Sequence, residues 1–368
     1  MPIYRPCYCT REEVKRALDI KGVAYNNEQI DRNIQSASDD IDGLCARKFY
    51  PVDATYKFDW PNYQYTYPWK LYLDQYELAG QPTLVVTGTF LPVPVVIPST
   101  DYYPMPINEG PPFTRIELRR DLNSFFGANT TPQQDIGITG AFGYWLKTQP
   151  GGTLTAAMTD TTTPTLQMSA GTGVFVGVGD VIIVDNERML VTDSQLVSTG
   201  ISPTGNGAQT VSANDNTLAV ASGAAFTPGE TLMEDSEAMR ILFINGNNLI
   251  VKRGWDGTIL AAHSNSVLSA NRQITVVRGA LGTTAATHLI NAPINVLSIP
   301  GLVKELAVAT AEVGLTQEPA AYSNTLVSIS AAGRTGGQQK EPVPGPGLPD
   351  LRDRVFTRYA RKARTRVV

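Results

Sequence analysis

Apolar residues recur at helical spacing in two short stretches near the N-terminus. Val14, Ala17 and Leu18 give one face of a first segment, and Thr10 with Glu13 opens it as a capping box. In that motif the threonine oxygen accepts from the third amide while the glutamate reaches back to the cap amide. After a break at Gly22, Asn26 or Asn27 caps a second segment in which Ile30, Ile34, Ala37, Ile41 and Leu44 recur at spacings of 4, 3, 4 and 3. The pair predicts a helical hairpin with a buried seam. On the opposite side, Glu28, Asp31, Gln35, Asp39 and Asp42 form a mostly acidic stripe. A solvated face is the simpler reading of it, and the wall of an acidic passage is the sharper one.

From Tyr50 to Pro112 the pattern changes to short apolar runs among prolines and aromatics. "TLVVTGTF", "VPVVIP" and, just beyond, "FTRIEL" are strand candidates, and the prolines favour edges and turns. From about Gly151 to Pro293 the chain is rich in Gly, Ala, Thr, Ser and Val, with hairpin signals at Asp185-Asn186 and Asn245-Gly246. This stretch predicts a β-sandwich or barrel. After Pro300, Leu302, Leu306, Ala309 and Val313 return to helical spacing, with Gly314 as a stop. Residues 333–350 then read as a Gly/Pro/Gln linker, and 351–368 as a basic arm.

Charge separates the arm from the rest. The 368-residue chain totals −4, yet 351–368 holds seven basic side chains and one acid, a net +6 that leaves −10 for everything before it. Within the arm Leu351, Val355, Phe356, Tyr359 and Ala363 line one helical face, collared by Arg354, Arg358, Arg361 and Lys362. No run approaches the roughly 18 apolar residues that a membrane span needs, so no membrane partner is expected. Cys7, Cys9 and Cys45 are too few and too oddly placed for a disulfide framework, and Cys7-x-Cys9 lacks the four ligands of a tetrahedral zinc site. Neither metal nor cofactor is expected.

The two histidines lie in matched phrases. "RGWDGTILAAHS" (253–264) and "RGALGTTAATHL" (278–289) agree at Arg253/Arg278, Gly254/Gly279, Gly257/Gly282, Thr258/Thr283, Ala261/Ala286 and His263/His288. Upstream, 179–191 matches 229–241 through Gly179/Gly229, Asp185/Asp235, Glu187/Glu237 and Met189/Met239. Two half-motifs each occurring twice indicate a duplicated β unit, with 179–191 completed by 274–288. Glutamate and histidine are suited to acid–base chemistry. No nucleophile elbow, zinc helix, phosphate loop or dinucleotide fingerprint accompanies them, so the expectation is structural histidines and no enzyme.

Three passages together resemble the head-tail connector (adaptor) family of long-tailed double-stranded DNA bacteriophages. They are "IDRNIQSASDDIDGLCARKFYP" with its Arg47-Lys48-Phe49 exit, "ITGAFGYW" (138–145), and the proline-started "IPGLVKELAVATAEVG". The resemblance implies an α+β fold. A small helical adaptor domain with a short sheet, 1–149 and 294–332, would be interrupted by a β-sandwich or barrel-like insertion, 150–293, and followed by the extended basic arm. It also implies a structural neck protein with no catalytic residues, forming a homo-oligomeric, dodecameric ring in the virion after assembly in the host cytoplasm. The ring would lie between the portal protein and a stopper or tail-terminator protein, passing packaged DNA rather than binding it specifically.

On that reading Arg354, Val355, Phe356, Arg358, Tyr359, Arg361 and Lys362 dock on the portal, and Glu28, Asp31, Asp39 and Asp42 face the channel. The alternatives are a DNA-binding protein using the basic tail and a carbohydrate-active virion protein using the β insertion.

Overall fold

The computed structural model describes residues 3–19, 26–61, 67–204, 210, 215–317 and 347–361. Helix α1 (Arg11–Asp19) begins with the expected capping box, Glu13 N donating to Thr10 Oγ1 (3.2 Å) and Thr10 N to Glu13 Oε2 (3.1 Å). Helix α2 (Asn27–Cys45) is capped by Asn26, whose Oδ1 accepts from Glu28 N at 2.9 Å. Ile30, Ile34, Ala37 and Ile41 are buried along its seam. Gly22 lies outside the described residues.

Next come β1 (Val52–Phe58), β2 (Lys70–Tyr72), β3 (Leu84–Thr87), β4 (Val95–Val96), β5 (Tyr102–Met105), β6 (Arg115–Leu118) and β7 (Ile136–Phe142). They form two antiparallel sheets, ordered β1-β7-β3-β4 and β2-β6-β5, around a separate core that includes Leu71, Leu78, Ile116, Ile136 and Ile138.

The β-rich region comprises β8 (Thr148–Thr153), β9 (Thr165–Gln167), the single turn α3 (Thr172–Phe175), β10 (Val181–Val184) and β11 (Glu187–Ser198) in its first part. It continues through β12 (Thr217–Ala219), β13 (Thr231–Glu234), β14 (Glu237–Asn245), β15 (Asn248–Lys252), β16 (Ser269–Val277) and β17 (Pro293–Leu297). Ten strands share one hydrogen-bonded network, ordered β12-β15-β14-β13-β16-β11-β10-β17-β8 with β9 on β16. A β-sandwich or barrel was expected. Instead, the long strands β11 and β16 run through two lobes whose buried residues fall in different cores, and their ladder is bulged between Val191/Asp193 and Gln195/Leu196. The tight turn of the β14–β15 hairpin is Gly246-Asn247, one residue later than expected, because Asn245 pairs with Asn248.

Entrance and exit of this region lie side by side, Thr153 pairing with Pro293 and Gly152 with Ile294. It is nevertheless not an independent insertion. Val178, Val181, Ile182 and Val296 of the first lobe share one core with Ile30, Ile34 and Leu306 of the helices. Cutting out 153–292 would therefore expose the helical seam, contrary to a boundary at 150 and 293. Only the second lobe, around Leu218, Leu232, Met239 and Leu249, has a core of its own. The fold is mixed α+β, with five α-helices and three sheets among the described residues.

Helix α4 (Gly301–Gln317) packs on α2 and runs through Gly314. A Cβ on Gly314 would lie 2.3 Å from Asn33 Oδ1, so this glycine serves close helix approach rather than termination. Helix α5 (Gly347–Tyr359) takes up the last residues assigned to the linker. Residues 333–346 and 362–368, Lys362 included, lie outside the described residues.

Candidate functional site

The histidine phrases and the upstream hairpins meet in two matched knots. In the first lobe, Glu187 Oε1 and Oε2 receive Arg278 Nε (2.7 Å) and Nη2 (2.8 Å). Gly279 N and Ala286 N each donate to the same carboxylate at 2.9 Å. His288 Nε2 lies 2.9 Å from Glu187 Oε2, and its Nδ1 lies 2.7 Å from Asp185 Oδ2. In the second lobe Glu237 receives Arg253 Nε (3.0 Å) and Nη2 (2.7 Å), with Gly254 N and Ala261 N at 2.9 Å. His263 Nε2 lies 3.0 Å from Glu237 Oε2 and Nδ1 2.9 Å from Asp235 Oδ2.

The local backbone explains the shared residue types. Asp185 and Asp235 turn their hairpins at φ 53° and 51°, and Gly254 and Gly279 both stand at φ 61°. Thr258 and Thr283 each accept an amide at 3.0 Å, from Ala238 and Arg188 respectively. The halves nest: 179–191 closes with 278–288 around a complete second unit, 229–263.

The carboxylates of the knots are tuned for charge. Burial opposes ionisation of Glu187 and Glu237, but the arginine, the two amides and the histidine outweigh it and bring each down to about 2. Burial disfavours the His263 imidazolium, but Asp235 and Glu237 overcome it and raise the histidine above its ordinary value. Both ring nitrogens of His263 face carboxylates, which only accept, so the doubly donating imidazolium fits this site. His263 and His288 are 7% and 3% exposed, and the glutamates are fully enclosed. Such carboxylates, committed to five hydrogen bonds from four residues each, have little capacity left to exchange protons with a substrate.

The acidic stripe is largely engaged from within. Asp31 is buried and receives Arg11 Nε (2.8 Å) and Nη2 (2.7 Å), so it does not face a channel. Asp42 receives Arg5 Nη2 (2.8 Å) and the Tyr8 hydroxyl, while Asp39 is exposed but also paired with Arg5. Glu28 is exposed at the start of α2. The spacing of the stripe was legible, but Arg5 and Arg11, which draw its members inward, come from a preceding element.

The basic arm differs more sharply from expectation. Its helix was expected to have no core of its own, yet Val355 and Tyr359 are buried against α2 and α4. Tyr359 packs edge-on against Phe49 (5.9 Å) and Tyr144 (5.7 Å). Neither Val355 nor Tyr359 is available as a docking anchor. Arg361 N donates to Cys45 O (2.9 Å), and its guanidinium approaches the buried Glu77 at 3.6 Å, beside Arg47. Arg352, Arg354, Phe356 and Arg358 remain on the outer face, with Arg352 3.4 Å from Asp40 and Phe356 52% exposed. No local pattern in the sequence marks Glu77, Tyr144 and Phe49 as the seat of this helix.

Cys7, Cys9 and Cys45 are buried thiols, and burial pushes Cys7 up to about 12. Among the described residues no cluster of three or more His, Cys, Asp or Glu suits a metal ion, and no helix is long and apolar enough to cross a membrane. Comparison with protein-family models, with curated proteins and with solved structures gave no match.

Proposed function

We propose that this chain is a structural neck protein of a tailed double-stranded DNA virion, a ring-forming adaptor between the portal and the next neck component. The observation that carries the reading is the meeting of the three passages behind the family resemblance. Phe49, at the exit of α2, packs edge-on against Tyr144 at 5.3 Å. The adjacent Trp145 donates from Nε1 to Ser298 O (2.8 Å), just before the start of α4, and α4 packs back on α2. Segments far apart in sequence thus pack together, and that packing supports the reading.

Under this proposal the portal-facing surface is the outer face of α5, with Phe356 as the apolar anchor and Arg352, Arg354 and Arg358 around it. Each exposed ion pair there adds only about 0.2–1 kcal/mol, so the aromatic supplies more of the affinity. The net charge of −10 on the chain before residue 351 disfavours adhesion to passing DNA. The proposal gives the chain no catalytic role.

The test is negative-stain microscopy of the purified full chain alone and with the portal protein from the same virion, together with cosedimentation. Rings that bind portal, and lose it on combining Phe356→Ala with Arg354→Glu, support the reading. A chain that remains monomeric with portal present and does not cosediment refutes it. Strongly salt-dependent duplex binding that is removed by reversing Arg364 and Arg366 would instead assign the tail to nucleic acid.

A further inference from the structure

Beyond the end of α5, a cleft of about 330 Å³ opens between the exit of α2 and strands β1 and β7. Helix α2 ends at Ala46 in the left-handed region (φ 49°), and the two residues that follow, Arg47 and Lys48, line the cleft. Two amides hold this exit in place, Gly143 N donating to Glu77 O (2.8 Å) and Tyr144 N to Lys48 O (3.1 Å). Arg361, tied by its backbone to the end of α2, lines the cleft as well.

The enclosed charges do not balance. Glu77 Oε1 lies 3.1 Å from Arg47 Nε and 3.6 Å from Arg361 Nη2, so one carboxylate serves two guanidiniums. About five N–H donors on each guanidinium exceed the roughly four acceptor sites of that carboxylate. Both Nε atoms are enclosed and lack a hydrogen-bond acceptor among the described residues. Those atoms are out of a ligand's reach, but the side chains of Arg47 and Arg361 are 11% and 24% exposed, and a ligand would meet their outer nitrogens. The other polar groups of the wall are engaged or open to solvent. Asp42 holds Arg5 and the Tyr8 hydroxyl, Gln75 Nε2 donates to the Tyr76 hydroxyl at 2.9 Å, and Lys48 is exposed. Two guanidiniums against Glu77 therefore leave a surplus of one positive charge in the enclosed part, with Lys48 as a second, solvated one.

The rest of the wall is apolar. Tyr56 packs on Tyr76 at 4.4 Å and on Phe142 at 4.5 Å, and all three line the cleft together with Val52. We propose that this cleft binds a monoanionic carboxylate borne on an apolar body. The planar guanidinium edges of Arg47 and Arg361 match the carboxylate oxygens, and the tyrosine rings receive the body. A phosphate dianion fits less well, since it would place two negative charges near Glu77 with a single enclosed charge to meet them. The carboxylate can come from a free aromatic acid or from an acidic side chain beside an aromatic one in a peptide, and the test separates the two. The site stands apart from the outer face of α5 and does not depend on the adaptor reading.

Isothermal titration calorimetry of the full chain with benzoate, benzamide, N-acetyl-Phe-Glu-Phe amide, N-acetyl-Phe-Gln-Phe amide and inorganic phosphate tests this. At least one of the two carboxylates is expected to bind at least about tenfold more tightly than its own amide analogue, a difference of roughly 1.4 kcal/mol. Binding of benzoate assigns a free acid, and binding of the glutamyl peptide without benzoate assigns an acidic side chain. Arg361→Gln and Lys48→Glu should each weaken that binding, the first at least about tenfold. If Arg361→Gln does not fold, Lys48→Glu carries the test, because that side chain is exposed. Binding no tighter than that of the amides, binding undiminished by both variants, or binding of phosphate alone would overturn the proposal.

Discussion

Glu187 and Arg278 form a two-pronged ion pair at 2.7 and 2.8 Å across 91 positions of sequence, and Glu237 with Arg253 repeats it across 16. The same knot therefore closes an inner lobe locally and an outer lobe only after the inner one has been inserted. Removing one partner of a buried pair typically costs about 3–5 kcal/mol, because the other charge remains enclosed.

Glu237→Gln and Glu187→Gln should thus differ in reach more than in local chemistry. The inner lobe has its own core, so Glu237→Gln is expected to raise amide exchange in 217–270 while the helices remain protected. The outer knot belongs to the lobe that shares its core with α2 and α4, so Glu187→Gln should loosen both together. Hydrogen exchange followed by mass spectrometry distinguishes the two patterns, and equal, global effects would contradict the nested arrangement.

The inner lobe should also lose stability as pH rises above the unfolded histidine value of about 6.5. His263 has a folded-state value raised above the unfolded value of about 6.5. Its contribution is then fully present below about 6.5 and is lost as pH climbs through the folded value. Glu237 acts at the other end: its value is lowered to about 2, so its contribution is present above about 4.3 and is lost as pH falls toward 2. Inner-lobe stability should be greatest between these limits. His263→Gln should flatten the alkaline side, at a loss of about 2 kcal/mol near pH 6. A variant with the same alkaline slope as the parent would show that the ring does not carry this dependence.

Asp180 gives a dependence of the same sign from a different cause. Burial pushes its carboxyl up to about 7 despite Lys304, while Glu13 and Glu12 add to the rise. The folded state favours the protonated acid, so stability is full below about 3.9 and declines as pH rises toward 7. Asp180→Asn keeps an oxygen for Gly177 N, which Asp180 Oδ2 accepts at 2.9 Å. The variant should melt higher than the parent at pH 8 and close to it at pH 4, as measured by calorimetry.

The repetition behind the knots was legible because both halves use the same residues for the same geometry, an aspartate at the turn, a glutamate two residues on and a histidine, whereas the pairing of Arg278 with Glu187 and of Arg253 with Glu237 was not. Helix α2 was legible for a similar reason, since its seam and cap are local. What lay beyond sequence reasoning was the choice of partner across long separations. The regular spacing of Asp31 and Asp42 gives no sign that Arg11 and Arg5 bind them from before the helix. Asn245-Gly246 marks a turn but leaves its register open by one residue, which the pairing of Asn245 with Asn248 decides. The apolar stripe of α5 was visible, whereas its seat among Phe49 and Tyr144 is assembled from two other parts of the chain.

That seat divides the two aromatics of α5 into different roles. Tyr359 is 7% exposed between Phe49 and Tyr144, so Tyr359→Ala opens a cavity in the shared core and should cost about 3–5 kcal/mol. Phe356 is 52% exposed and touches no other ring among the described residues, so Phe356→Ala should change stability by no more than about 0.5 kcal/mol. Denaturant unfolding of the two variants measures this contrast directly. Under the proposed portal docking, the binding assay should reverse the order of directness: Phe356→Ala would weaken it in a fully folded chain, while Tyr359→Ala would weaken it only to the extent that α5 detaches. Lowering the temperature should therefore restore portal binding to Tyr359→Ala but not to Phe356→Ala. Recovery by both variants would mean that the helix contributes its position rather than its aromatic side chain, and the docking face would have to lie elsewhere along the arginines.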